Sequence, residues 1–263
     1  MTVSIISHFL GPEQEGLPKL ASIGYRLVEV DRGIVARVEG AVFKELLNEA
    51  GMQAVCLMGA DPGIADEDRA LRSERIEKLK GSVLWATKVG AKIVETVPMW
   101  SGRSEERQGA FERAVGSLRE AGKFAADHGV VLAIEPVNKA ETRLVLTLEQ
   151  AVAMAKAIGL PSVRVMGDTH HMNMMEVDLG QAVRNGGEWL VHFHFSDNDR
   201  LPPGLGHMDL KTVVCALAEV GYTGALSLAE MSRVGDAAAC ARHSLEYTRA
   251  LISACELREQ AGR

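Results

Sequence analysis

Apolar positions fall into two patterns that alternate along the whole chain. Short runs rich in β-branched residues occur at "TVSIIS" (2–7), "LVEV" (27–30), "QAVCLM" (53–58), "KIVETV" (92–97), "VVLAIE" (130–135), "VRVM" (163–166), "LVHFHF" (190–195) and "ALSLAE" (225–230). Between them lie longer stretches with helical apolar spacing, such as "AVFKELLNEAG", "SERIEKLKGSVLWATKVGA", "FERAVGSLREAGKFAADHG", "LEQAVAMAKAIG" and "LKTVVCALAEVG". Several of these stop at Gly, which tolerates the left-handed conformation that follows a helix. Strand followed by helix, repeated, predicts a parallel sheet. Eight such units in 263 residues favour an α/β closed (β/α)8 TIM barrel over an open sheet. No Pro/Ser-rich linker or low-complexity tract divides the chain, so residues 1–263 read as one domain. The segments "DRGIVARVEG" and "GADPGIADEDRALRS" read as loops.

Composition narrows the function classes. A chain that is 47% hydrophobic and 24% charged suits a globular protein with one large core. No apolar run reaches the ~20 residues of a membrane span, and no basic-then-hydrophobic leader opens the chain, so neither a membrane nor export is expected. The net charge of −6 argues against nucleic acid as a partner. Cys56, Cys215, Cys240 and Cys255 are scattered without a CxxC pair. They read as free thiols in a reducing compartment, with the cytoplasm as the expected setting. No glycine loop for a dinucleotide follows any strand.

The chemistry sits at strand ends. The predicted fifth, sixth, seventh and eighth strands finish at Glu135, Asp168, His194 and Glu230. In a barrel those ends converge on one mouth, where active sites of this fold lie. Each residue has a plain structural reading: Glu135 as a helix cap, Asp168 as a turn acid in "GDT", Glu230 as the start of a solvated loop. His192 shares strand parity with His194 and reads as the core histidine of the two. All four at the same end of successive strands is a different matter. Three carboxylates and an imidazole in one mouth repel unless positive charge sits among them. Three oxygens and one nitrogen, without a thiolate, suit Mn²⁺, Mg²⁺ or Co²⁺. The loops add donors for a polyhydroxy ligand: His171, three residues past Asp168, and Arg200, six past His194, which otherwise reads as a surface arginine in an exposed loop. Glu141 in "EPVNKAET" reads either as an acceptor for a substrate hydroxyl or as an exposed residue at a helix start. Asn138 and Trp100 admit either a ligand-facing or a packing role. Asp209 reads as a helix cap.

The phrases "EPVNKAE", "DTHHMN", "HFHFSDNDRLPPG" and "GYTGALSLAE" resemble the sugar isomerase/epimerase superfamily related to xylose isomerase, and look most like its ketose 3-epimerases acting on tagatose, psicose and ribulose. The match spans residues 130–232; before that it rests on the strand–helix rhythm and "GMQAVCLMG". The resemblance implies a metal held by Glu135, Asp168, His194 and Glu230, with Mn²⁺ first among the candidates. It also implies that Glu135 and Glu230 exchange a proton with a sugar substrate from opposite faces through an enediolate, while Glu141, His171 and Arg200 hold its oxygens. "LAEMS" stands where Glu-Pro is usual, and Asp199 adds a charge beside Arg200. A hydroxypyruvate-type isomerase, or an inosose or dehydroshikimate-type dehydratase, uses the same four ligands. A non-catalytic sugar-binding barrel is the third reading. An abasic-site endonuclease needs histidines at the third and fourth strand ends, which read "CLMGAD" and "TVPMW". A homodimer or homotetramer is compatible with the chain.

Overall fold

The apolar runs all become strands, and they close. The computed structural model describes residues 1–59, 63–99, 106–229 and 234–261. Its first half runs β1 (Thr2–Ile6), α1 (Glu13–Ile23), β2 (Leu27–Val30), α2 (Gly40–Glu49), β3 (Gln53–Leu57), α3 (Arg69–Val89), β4 (Ile93–Thr96) and α4 (Arg107–Asp127). Its second half runs β5 (Val131–Ile134), α5 (Leu148–Ile158), β6 (Val163–Asp168), α6 (Thr169–Met175), α7 (Leu179–Gly186), β7 (Leu190–Phe195), α8 (Leu210–Glu219), β8 (Ala225–Leu228) and α9 (Ala237–Ala261). The strands are parallel and pair in sequence order, β8 returning to β1, which is the (β/α)8 barrel expected.

Local chemistry sets the boundaries. Gly51, Gly90, Gly129, Gly159 and Gly221, which end the five helical patterns, all have positive φ. Asp68, Thr147, Asp178 and Asp209 open α3, α5, α7 and α8 by accepting backbone N–H groups of the first turn. The segment read as a loop before residue 73 holds the first turn of α3, because Asp68 caps it four residues earlier than the apolar pattern suggests. No described helix is long and apolar enough to cross a membrane.

Strand register places the site. Asp168 on β6 pairs directly with His194 on β7, and His194 with Ser227 on β8. A register shift between Val165 and Met166 brings Asp168 level with His194. On the other side of the same strands, Gly167 lies against the buried Phe193. A Cβ at Gly167 would stand 2.4 Å from the Phe193 ring. Gly167→Ala is therefore expected to destabilise the fold by about 1–3 kcal/mol, the usual range for overpacking; urea denaturation followed by circular dichroism tests this, and an unchanged midpoint would contradict the close packing.

The cysteines correct one expectation. Cys215 on α8 and Cys255 on α9 form a disulfide, while Cys56 and Cys240 are free and buried. The two half-cystines lie 40 residues apart, and only the packing of α8 against α9 brings their Cα atoms to 4.9 Å. Spacing along the chain carries no trace of that. The expectation of a cytoplasmic setting rested on four unpaired thiols and loses that support.

Candidate active site

Three successive strands deliver three donor atoms to one point. Glu135 follows β5 directly, its backbone N–H donating to the Thr96 carbonyl on β4 at 3.0 Å. Asp168 closes β6 and His194 lies one residue from the end of β7. His194 Nδ1 is 3.1 Å from Glu135 Oε1 and 3.3 Å from Asp168 Oδ2, and one donor atom from each residue lies within 4.8 Å of the others. Asp168 does two jobs. Its Oδ1 accepts the His170 N–H at 2.8 Å, capping α6 as a turn acid does, while Oδ2 faces the cluster.

A second layer lies beneath. Glu29 on β2 is fully buried and reaches across the barrel interior, with Oε1 3.0 Å from His194 Nε2 and Oε2 3.0 Å from His192 Nε2. Glu95 on β4, also buried, lies near Glu29 and His194.

Charge in this interior is balanced by neighbours. Burial pushes Glu29 up, but the His194 and His192 charges outweigh it and hold the carboxyl well below its usual range. Burial likewise raises Asp168, and the Arg200 guanidinium with His194 more than reverses it. Burial favours neutral His194, yet Glu29, Asp168 and Glu135 drive it well above an ordinary imidazole. Glu95 goes the other way: burial raises it well above the carboxylate range, and the charge of Glu135 adds to that. Positive charge also faces the acids from the Arg200 guanidinium, whose Nη1 lies 2.7 Å from Asp168 Oδ2.

These shifts fix a pH dependence for the protein stripped of divalent ions. The folded value of His194 is raised, so its stabilisation is complete below the unfolded value of about 6.5 and is lost as pH climbs through the folded one. Glu29 and Asp168 are lowered, so theirs is present above an unfolded value near ~4 and lost as pH falls through the folded one. Glu95, raised by burial, costs stability from about pH 4.3 upward. Chelator-treated protein is expected to melt at lower temperature as pH rises above neutrality, by about 2–4 °C per kcal/mol lost. A melting temperature flat from neutral to alkaline pH would contradict the His194 environment.

The loops arrange the remaining residues around a cavity of about 320 Å³, which Glu95, Glu135, Glu141, His171, His194 and Arg200 line on the polar side. Met58, Val97 and Val137 form an apolar wall. Asn138 organises one lip: its side-chain amide donates to Glu141 Oε1 at 2.7 Å and sits 3.0 Å from His171 Nδ1. Arg200 follows Asp199 in a short turn, and both take left-handed φ, 56° and 59°. Such non-glycine conformations cost about 1–3 kcal/mol each. They persist because the buried Asp197 carboxylate ties the loop down, accepting N–H groups of Asn198 at 2.9 Å, Gly204 at 3.0 Å and Met208 at 3.0 Å.

Of the residues singled out in the sequence, the structure brings Glu135, Asp168, His194, Glu141, His171 and Arg200 together, and Asp209 caps α8. Glu230 and Trp100 lie outside the described residues. His192 is a buried core histidine as expected, but its ring meets Glu29 rather than apolar packing alone. Glu29 and Glu95 were missed. Their signal was present: each is a lone charge inside an apolar strand, "LVEV" and "IVET". A charge is rarely buried in a strand unless a partner meets it.

Comparison with known proteins shows the family and the fold. The family described as xylose isomerase-like TIM barrel matches residues 17–251. The chain is 28% identical over 229 residues to the D-psicose 3-epimerase of Agrobacterium fabrum, covering 83% of this chain and 79% of that one. It is 30% identical over 244 residues to the 3-dehydro-D-guloside 4-epimerase of Escherichia coli, covering 88% of this chain and 91% of that one. The solved structure of an L-ribulose 3-epimerase superposes with a TM-score of 0.90 at 21% identity, covering 99% of this chain and 98% of that one, which shows the shared fold.

Proposed function

The chain belongs to the xylose isomerase-like TIM barrel family, and from that premise we propose that it is a metal-dependent ketose 3-epimerase, working through Glu135 and Glu230 as the acid–base pair. Kinship with sugar epimerases makes it an isomerase. The observation that carries the finer reading is the convergence of Glu135, Asp168 and His194 donor atoms on the floor of a cavity whose rim holds Glu141, His171 and Arg200.

The donor set fits a hard divalent cation. Two carboxylate oxygens and one imidazole nitrogen come within 4.8 Å of each other, and Cys56 is not part of this group, so oxygen-preferring ions such as Mn²⁺, with Mg²⁺ or Co²⁺ as alternatives, suit it better than a thiolate-seeking one. Glu135, Asp168 and His194 would hold the ion, with Glu230 as the fourth ligand on the strength of its place in "SLAE". When bound, the ion supplies a Lewis acid for the negative charge that develops on the substrate's carbonyl oxygen.

The chain's own groups do the rest. One of Glu135 and Glu230 removes the proton beside the carbonyl, leaving the substrate as its enediolate, and the other returns a proton on the opposite face. Arg200 offers a planar fork of N–H donors to neighbouring substrate oxygens, and His171 and Glu141, tied by Asn138, meet further hydroxyls. Arg200 Nη1 lies 2.7 Å from Asp168 Oδ2, so the guanidinium stands beside the acid that would hold the ion. The apolar wall of Met58, Val97 and Val137 suits the C–H side of a sugar. Residues 1–263 act as one domain in this reading.

A panel of free and phosphorylated ketoses and keto-glycosides, incubated with Mn²⁺ in deuterated water and separated by sugar chromatography, tests the function. Inversion at carbon 3 with deuterium incorporated there is expected. A conjugated, ultraviolet-absorbing product would assign a dehydratase instead, and an aldose product an isomerase. No exchange with any ketose, together with no bound cation, would leave only a sugar-binding barrel.

A further inference from the structure

We propose that Glu29 is a positioning residue that turns His194 so that its Nδ1 lone pair faces the cation, with His192 as the anchor that holds Glu29 in place. This rests on the reading above, in which Glu135, Asp168 and His194 hold the ion.

The geometry is specific. Glu29 is fully buried, and both of its oxygens are spent on imidazoles: Oε1 is 3.0 Å from His194 Nε2, and Oε2 is 3.0 Å from His192 Nε2 and 3.1 Å from His194 Nε2. The other nitrogen of His194 looks the opposite way, 3.1 Å from Glu135 Oε1 and 3.3 Å from Asp168 Oδ2. A neutral imidazole carries one proton. With a carboxylate facing Nε2, that proton belongs at Nε2, and the lone pair is left at Nδ1, where the donor cluster converges. No neighbouring-strand hydrogen bond can do this, since β2 and β7 are separated by β1 and β8 in the barrel order. The side chain crosses the interior as a strut. A register shift between Val28 and Glu29 accompanies its inward turn.

The anchor follows from the same distances. His192 lies two residues before His194 on one face of β7, fully buried, with Nε2 on Glu29 and, among the described residues, no hydrogen-bond partner at Nδ1. It stands outside the Glu135–Asp168–His194 group, so it serves the cation only through Glu29. The competing uses of these residues are a second ion among Glu29, Glu95 and His194, or one among Glu29, Cys56 and His192, whose donor atoms also converge. The first would require His194 to give both ring nitrogens at once, as an imidazolate.

Glu29→Gln and Glu29→Asp, stripped of metal and titrated with Mn²⁺ by calorimetry, separate these cases. Glu29→Gln is expected to weaken Mn²⁺ binding by about 10–100-fold, the usual cost of losing such a partner, at unchanged circular dichroism. Glu29→Asp, which keeps the charge, is expected to recover part of the loss. A folded Glu29→Gln with parent-like affinity overturns the proposal, as do two Mn²⁺ per parent chain with one lost in the variant. A parent that takes up no Mn²⁺ overturns the functional reading along with it, whereas a parent that binds and a variant that binds equally sink only the role of Glu29. Should Glu29→Gln fail to fold, ¹⁵N NMR of the histidine rings in the Mg²⁺-loaded parent decides the matter. A proton on His194 Nε2 is expected; one on Nδ1 overturns the assignment.

Discussion

Glu135→Gln is expected to lower turnover at saturating cation by about 10²–10⁴-fold or more, the contribution of a positioned general base. The substitution keeps shape and leaves one carbonyl oxygen to face His194 Nδ1, now 3.1 Å from Glu135 Oε1. What disappears is the ability to take a proton. Deuterium wash-in from solvent should fall with turnover, because both need the same C–H bond broken. A decrease in rate that vanishes when Mn²⁺ is raised would assign Glu135 to holding the ion alone. A turnover within tenfold of the parent at all cation concentrations would remove Glu135 from the chemistry.

The second large effect falls on the fold as much as on the reaction. Asp168 has no exposed surface, and its Oδ2 is 2.7 Å from Arg200 and 3.3 Å from His194 Nδ1. Removing one member of a buried ion pair leaves the other charged and unpaired, which costs about 3–5 kcal/mol. Asp168→Asn is expected to lose about that much stability in chelated protein, measured by urea denaturation, and to abolish measurable cation binding. Asp168→Ala also loses the cap on the His170 N–H and should cost about 1 kcal/mol more. A stability change under 1 kcal/mol in Asp168→Asn would mean that Arg200 finds solvent or another acceptor once the carboxylate is gone.

Much of the site was legible because barrels obey a positional rule. Glu135, Asp168 and His194 each stand at the end of an apolar run, and strand ends of a parallel barrel must meet at one mouth. Arg200 and His171 were legible from their spacing to those ends. Glu29 and Glu95 each interrupt an apolar strand with a charge, but both sit one layer below the strand ends to which the barrel rule points. Their value depends on a partner: Glu29 is meaningful only when His192 and His194 are seen across the barrel. The pairing of Cys215 with Cys255 was invisible for the same reason, as it depends on two helices lying side by side.

Amino-acid order by itself determined the eight strands, the helix stops at Gly51, Gly90, Gly129, Gly159 and Gly221, and the placing of Glu135, Asp168 and His194 at strand ends, because periodicity, caps and glycine conformations are local properties of the backbone. Tertiary structure alone decided which nitrogen of His194 meets the carboxylates, that Arg200 lies on Asp168, and that a carboxylate from β2 supports a histidine on β7. Those are contacts between groups up to 165 residues apart. Their energies depend on separations of a few ångströms and on exclusion of water, and neither quantity exists until the barrel has closed.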